Sequence, residues 1–305
     1  MFAQLPFVVS MTRNLGALAP MSKTLKLAAV ALAASLPCSA AFAAWELNMP
    51  KGVTELSRDI HGLHMMIFWV CTVIAVVVFG AMIYSMVKFR QSKGAVAAQF
   101  DHSTKAEIIW TVIPIAILVF MAVPAAETLV KIEDTRNSEL TVKVTGYQWK
   151  WHYDYLEQGV NYFSTLARTS NAARQLHSGI DPNSVDNYLL EVDHPLVVPV
   201  GKKVRILLTS SDVIHAWWVP QFGMKKDAIP GYVNELWFRA DVPGVYRGQC
   251  AELCGRDHGF MPVVVEAKPE AEFDAWLKAQ QQNAQPQQQV ASVQGAAAAT
   301  VAKAE

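Results

Sequence analysis

From Leu63 to Val87 the chain carries no Asp, Glu, Lys or Arg, and that stretch constrains the fold more than any other. As a helix, these ~25 residues would span ~37 Å, enough for the ~30 Å hydrocarbon core of a bilayer. A second apolar stretch, Ile108 to Val130, holds Pro114, Pro124 and one acid, Glu127, near its end. Prolines are tolerated in membrane helices because neighbouring groups re-satisfy the freed backbone. Between the two stretches lie Lys88, Arg90, Lys93, His102 and Lys105, with Asp101 the one acid before Glu107. Basic connecting loops stay in the cytoplasm, so this one predicts a helical hairpin with both ends on the far side.

The N-terminal region points the same way. Lys23 and Lys26 precede the short apolar run Leu27–Leu36, and Ala41-Phe42-Ala43 has the small-x-small form of a cleavage site. This is the pattern of a secretory signal peptide, with cleavage expected after Ala43 and residues 1–20 read as an upstream extension, translation starting at Met21. The expected organisation is an N-terminal extension and signal over 1–43, and a hairpin over 44–130 with helices at 63–87 and 108–130. An exported domain over 131–279 and a disordered Gln/Ala-rich tail over 280–305 complete it.

After the hairpin the periodicity changes. Leu140, Val142 and Val144 alternate with Thr141, Lys143 and Thr145, as in a half-buried strand. Trp149, Trp151, Tyr153 and Tyr155 also alternate, which predicts one aromatic face, more often core than functional. Further strands are expected at Tyr188–Val192, Leu196–Val200, Val204–Leu208, Glu235–Arg239, Gly244–Gly248 and Val263–Glu266, several bounded by turn signals such as Pro230-Gly231. Asn161 to Gly179 reads as a long loop, and Pro269–Ala279 as a short closing helix with Phe273, Trp276 and Leu277 on one face. Many short strands in one stretch predict an all-β antiparallel sandwich. Lys plus Arg and Asp plus Glu balance at 26 each, which gives no sign of a nucleic-acid partner.

The chemistry concentrates in Cys250-Ala251-Glu252-Leu253-Cys254-Gly255-Arg256-Asp257-His258-Gly259-Phe260-Met261-Pro262. Cys38 and Cys71, the other two of four cysteines, fall in apolar stretches. Three readings compete for the pair. A disulfide suits an oxidising compartment but gives His258 and Met261 no role. A two-Cys, two-His zinc site takes in His215 and His258 but leaves Met261 idle. Copper accepts thiolate, imidazole and thioether together, and two thiolates are enough to bridge two ions.

The string C-x-E-x-C-G-x-x-H-x-F-M-P resembles the dinuclear copper loop of the cytochrome c oxidase subunit II family. Asp212-Val-Ile-His215-Ala-Trp217, Lys226-Asp-Ala-Ile-Pro-Gly231, Gly146-Tyr-Gln-Trp149-Lys-Trp151 and Glu107-Ile-Ile-Trp110-Thr-Val-Ile-Pro114 resemble that family's other motifs, in order, over about Trp45 to Ala279. The resemblance implies a cupredoxin-like Greek-key sandwich behind a two-helix transmembrane hairpin. It implies that His215, Cys250, Cys254, His258 and Met261 ligate two copper ions, with the backbone carbonyl of Glu252. The Glu252 side chain would bind magnesium shared with subunit I.

By the same resemblance Trp149 is where electrons enter from cytochrome c, and Glu107 stands at the mouth of a proton channel. Asp154, Glu157 and Asp212 are the acids expected to attract a basic cytochrome c, although Lys150 places a cation beside the docking point. Asp227 lies in a family motif near the magnesium site, while His61 and His64 read as interfacial. The expected role is electron acceptance from cytochrome c and delivery to haem in subunit I, which reduces oxygen to water and pumps protons. Subunits I and III are the expected partners, and the bacterial inner membrane, with the copper domain in the periplasm, the expected location. Two alternatives fit less well. A copper-free quinol oxidase subunit lacks the Cys and His ligands, and a copper carrier needs neither Trp149 nor Glu107. The chain contains no C-x-x-C-H motif, as a fused cytochrome c domain would require.

Overall fold

The computed structural model describes residues 48–96 and 98–283; the signal region, its cleavage site, Cys38 and the tail from 284 onward lie outside the described residues. Helix α1 runs Glu55–Lys88 and α2 runs Thr104–Glu133. Both are long and apolar enough to cross a membrane, and they pack side by side. Large apolar groups cover their outer surfaces, as lipid-facing helices require: Val76 is 68% exposed and Phe120 65%. Helix α2 continues through Pro114 and Pro124.

Each helix is longer than its apolar stretch. The first turns of α1 carry Glu55, Arg58 and Asp59, and the last turn of α2 carries Lys131. Thr54 starts α1 with a capping box: its Oγ1 accepts from Ser57 N at 3.0 Å, and Ser57 Oγ accepts from Thr54 N at 3.1 Å. These extra turns belong to the β domain rather than to the membrane. Leu56 is buried in the domain core, Thr54 Oγ1 donates to Phe222 O (2.8 Å), and Trp237 Nε1 donates to Lys131 O (3.1 Å). Lys131 Nζ bridges Glu55 and, at 2.7 Å, Asp59, while Arg239 reaches Glu55 (2.9 Å) and Arg58 reaches Asp241 (2.7 Å).

Ten strands follow among the described residues: β1 Leu140–Tyr147, β2 Lys150–Tyr155, β3 Val160–Ser164, β4 Leu196–Pro199, β5 Val204–Ser210, β6 His215–Val219, β7 Met224–Ala228, β8 Asn234–Phe238, β9 Gly244–Cys250 and β10 Pro262–Lys268. They form two five-stranded sheets, ordered β3-β2-β1-β5-β8 and β4-β10-β9-β6-β7. The sheets are mixed rather than purely antiparallel, because β1 pairs parallel with β5 and β4 parallel with β10. Between them lie Trp151, Tyr153, Tyr155, Trp217, Phe222 and Phe238, all fully buried. Removing one such ring from water contributes about 4–6 kcal/mol before ordering costs. The core reading of Trp151, Tyr153 and Tyr155 therefore holds.

Several expectations need correction. Tyr188–Val192 is a turn rather than a strand, and its one β-bridge runs from Val192 to Leu166. Asn161 to Gly179 is not a loop throughout, since it contains most of β3 and a short helix α3, Arg168–Ala173. Strands β6 and β7 escaped the pattern. In β7 the three charged residues Lys225, Lys226 and Asp227 leave no apolar alternation, as befits an edge strand. The closing helix, α4, spans 270–283 and buries Phe273 against the core with Trp276 and Leu277.

Candidate metal centre

Strands β1 and β5 run parallel, and both end at one edge of the sandwich, where β6 begins and β9 ends. Three connections meet there: the β1–β2 turn, the β5–β6 link and the β9–β10 loop. Ser211 N donates to Gly146 O (3.0 Å) and Ala251 N to Ala216 O (3.0 Å), which tie the connections to one another.

His215 opens β6 and is completely buried. Its ring lies against the bare backbone of β1, where a Cβ at Gly146 would come within 2.8 Å of His215 Cδ2. A glycine among the β-branched residues of a strand marks such a close approach. Trp151 closes the other side, edge to face at 5.9 Å between ring centres. His215 Nε2 pairs with Asp212 Oδ1 at 2.8 Å. Donating there leaves Nδ1 free to ligate, the usual arrangement behind a metal-binding imidazole.

Nδ1 of His215 lies 3.9 Å from Cys250 Sγ, and the two sulfurs are 3.8 Å apart. His215, Cys250 and Cys254 place one ligand atom each within 4.8 Å of one another. From the other side His258 brings Nδ1 to 3.5 Å from Cys254 Sγ. Cys250 Sγ donates to Glu252 O at 3.4 Å, so that carbonyl also points at the sulfur, while the Glu252 side chain is exposed. Met261 is buried in the same core, and its carbonyl accepts from Cys250 N at 3.0 Å.

Both cysteines are free, with sulfurs far beyond the ~2.05 Å of a disulfide. The electrostatics favour thiolate at Cys250 and oppose it at Cys254. Burial opposes ionisation of Cys250, but His215 and backbone N–H groups outweigh it and bring the thiol down to about 7. Burial and the charge on Cys250 push Cys254 up to about 12, so the second proton leaves when a cation takes its place. Burial disfavours charge on Asp212 too, yet His215 and the N–H groups of Val213 and Gln148 hold its carboxyl below the ordinary range. Two thiols, two imidazole Nδ1 atoms and a carbonyl, with Met261 buried in the same core, form a donor set that fits copper.

Trp149 is not on the strand with the other aromatics. It occupies the β1–β2 turn, half-buried against the metal loop, and its Nε1 donates to Cys254 O at 3.3 Å. Gln148 Nε2 donates to the same carbonyl at 2.9 Å. Gly255 makes the contact feasible: its φ is +117°, and a Cβ there would meet Gln148 Nε2 at 3.0 Å and Trp149 Cζ2 at 3.2 Å. Arg256 lies 5.6 Å from the indole and Lys150 sits over Phe163 at 4.1 Å.

The structure does not gather the three acids assigned to docking. Asp212 is exposed at the surface, yet its carboxylate turns onto the site, accepting from Gln148 N (2.7 Å) and Val213 N (2.7 Å) and pairing with His215. Asp154 lies five residues along from Trp149, ~16 Å of strand, with Glu157 beyond it in the next turn. Glu107 is exposed in the first turn of α2. Asp227 is exposed on β7, and His61, with Nδ1 3.0 Å from Met49 O, sits near His64 on α1. The sequence reading missed Asp212 as the partner of His215, Gly146 as its neighbour, and Gln148 and Gly255 as supports of the Cys254 turn. The spacing of Asp212 three residues before a ligand and the glycine in β1 were the available signals.

Comparison with known proteins agrees with this geometry. Residues 43–127 match the family model "Cytochrome C oxidase subunit II, transmembrane domain", and residues 140–268 match "Cytochrome C oxidase subunit II, periplasmic domain". A probable cytochrome c oxidase subunit 2 of Rickettsia bellii (strain RML369-C) is 39% identical over 234 residues, 76% of this chain and 83% of that one. Cytochrome c oxidase subunit 2 of Cereibacter sphaeroides is 35% identical over 233 residues, covering 74% and 77%. The crystal structure of the periplasmic domain of subunit II of cytochrome oxidase of Bradyrhizobium japonicum is 39% identical, covering 49% of this chain and 98% of that one, with a TM-score of 0.43. A transmembrane hairpin followed by a cupredoxin-like, copper-binding domain places this chain in the cytochrome c oxidase subunit II family, a component of haem–copper oxidases.

Proposed function

We propose that this chain accepts electrons singly from cytochrome c and delivers them to haem in subunit I, where oxygen is reduced to water and protons are pumped. The supporting observation is the convergence of two thiols 3.8 Å apart with imidazole Nδ1 atoms at 3.9 and 3.5 Å, in a loop whose Cys254 carbonyl is bonded by Trp149. Two copper ions held by His215, Cys250, Cys254, His258, Met261 and the Glu252 carbonyl would supply one-electron chemistry with little change of geometry.

The chain's own residues set the conditions for that chemistry. Asp212 fixes the orientation of His215, and Trp151 with the sandwich core excludes water from the buried side. Trp149 offers a half-exposed aromatic surface one hydrogen bond from a ligand residue. The exposed Glu252 carboxylate suits magnesium shared with subunit I, because that ion takes one or two carboxylates and keeps several waters. Glu107 is proposed as the proton-channel mouth, and Asp154 and Glu157 as distant steering charges whose effect salt screens. The bacterial inner membrane, with the copper domain in the periplasm, follows from the basic loop between the helices.

Rapid mixing of the intact oxidase with reduced cytochrome c tests the reading. The copper signal of this subunit should change before any haem in subunit I is reduced, whereas haem reduction ahead of it would overturn the assignment. Glu107→Ala should leave that first step unchanged while slowing steady-state oxygen consumption. An unchanged steady-state rate would remove Glu107 from proton uptake.

A further inference from the structure

The metal loop is held unequally along its length. Its first arm leaves β9 and is fixed by main-chain bonds, Cys250 N to Met261 O and Ala251 N to Ala216 O, both 3.0 Å. The second arm, from Cys254 through His258 to Phe260, turns back on itself. Its bonds His258 N to Gly255 O (3.3 Å) and Phe260 N to Asp257 O (2.9 Å) are local and fix nothing to the sheets. Gln148 and Trp149 hold the Cys254 end from the β1–β2 turn, and beyond it Arg174 supplies the outside contacts on either side of His258. Its guanidinium stacks 4.2 Å from the Phe260 ring centre and pairs with Asp257 at 3.5 Å. Those two residues flank His258. The side chains of Arg174 and Asp257 are only 22% and 16% exposed, so the pair is shielded more than a surface salt bridge.

Arg174 is itself braced. It ends α3, donating its backbone N–H to Ser170 O (3.0 Å) and Nε to Asn171 Oδ1 (2.7 Å). The excursion carrying it, residues 165–195, is pinned at both ends. Thr165 N and Oγ1 donate to Asp193 at 2.7 and 2.8 Å, Ala167 N donates to Glu191 O (2.9 Å), and Arg247 on β9 pairs with Glu191 (2.6 Å). A polar cavity of about 190 Å³ between the excursion and the loop is lined by Trp149, Arg174, Asp257 and Phe260 among others, so both outer supports of the loop face the same space.

We infer that Arg174 is a positioning residue that clamps the His258 arm through Asp257 and Phe260, and that the 165–195 excursion is the outer wall of the metal centre. A planar guanidinium can stack and pair at once, whereas an ammonium cannot reproduce both contacts. The inference rests on the proposed copper reading, and its test separates the two. In the assembled oxidase, Arg174→Ala and Asp257→Asn should each alter the copper EPR hyperfine pattern and speed copper loss to a chelator about tenfold, the range for residues that support ligands. Arg174→Lys should fall between, and the double variant should be no worse than either single one.

A copper-independent measurement accompanies it: carbamidomethylation of the Cys254 peptide in copper-depleted oxidase, with and without Arg174→Ala. Faster labelling of the variant, at unchanged Tm, supports the clamp even if the native EPR fails to show a shared copper pair and sinks the copper reading. Native labelling, native copper release and a native spectrum in Arg174→Ala would overturn the clamp while leaving the copper reading intact. Phe260→Leu, which removes the stacking but keeps every charge, guards against misfolding of the Ala variant; a native release rate there would likewise count against the clamp.

Discussion

The two ends of the sandwich are both rich in polar contacts, but they use them differently. At the metal end, each contact has one fixed direction: buried His215 sits between Asp212, Trp151 and Gly146, and Trp149 and Gln148 meet on one carbonyl. At the helix end, about 20 Å away along β1, long charged side chains join the hairpin to the domain, each a third or more exposed. Lys131 serves two acids and Glu55 two cations, so one lost contact is compensated by another. The difference follows from the task. A ligand set must be positioned to within a fraction of an ångström, whereas an anchor must only hold.

That contrast predicts unequal sensitivity. Cys254→Ser should abolish the shared two-copper signal outright while circular dichroism stays native, since one hard hydroxyl cannot replace a bridging thiolate. Retention of the signal would break the comparison at its strongest point. Trp149→Ala comes next: turnover with cytochrome c should fall about 100-fold, roughly 2.7 kcal/mol of barrier, with the copper spectrum unchanged because Gln148 still holds the Cys254 carbonyl. Full turnover would show that electrons enter elsewhere.

Asp212→Asn should weaken copper retention about tenfold by losing the charge behind His215, measured as release to a chelator. If its only effect were a changed salt dependence of cytochrome c association, Asp212 would be a docking acid after all. At the helix end Glu55→Gln should cost only about 0–1 kcal/mol, a Tm shift of at most about 4 °C for a domain of this size. A collapse of the subunit would show that the anchor is as exacting as the metal site.

The two ends also differed in how legible they were. The hairpin was readable because lipid demands composition, and composition survives without geometry. The candidate ligands stood out because thiol, imidazole and thioether rarely coincide in one loop. The extra turns of the helices were not, because Glu55, Asp59 and Lys131 look like ordinary surface charges until β8 and the turn at Phe222 are brought against them. The pairing of Asp212 with His215 was hidden for the same reason: an acid that only faces solvent and an acid that also holds an imidazole are the same letter. Trp149 fitted the period of β2, yet the β1–β2 turn at Gln148 and Trp149 takes it out of the strand. Arg174 left no signal, since its contacts cross from an irregular excursion to a loop more than eighty residues away.

The central claim is that Cys250 and Cys254 bridge two copper ions. Copper analysis with EPR of the oxidised oxidase carrying this chain tests it most directly. Two coppers at this loop, with one unpaired electron spread over both nuclei, are the predicted result. The hyperfine pattern of a single copper, or no copper at the loop, would contradict it.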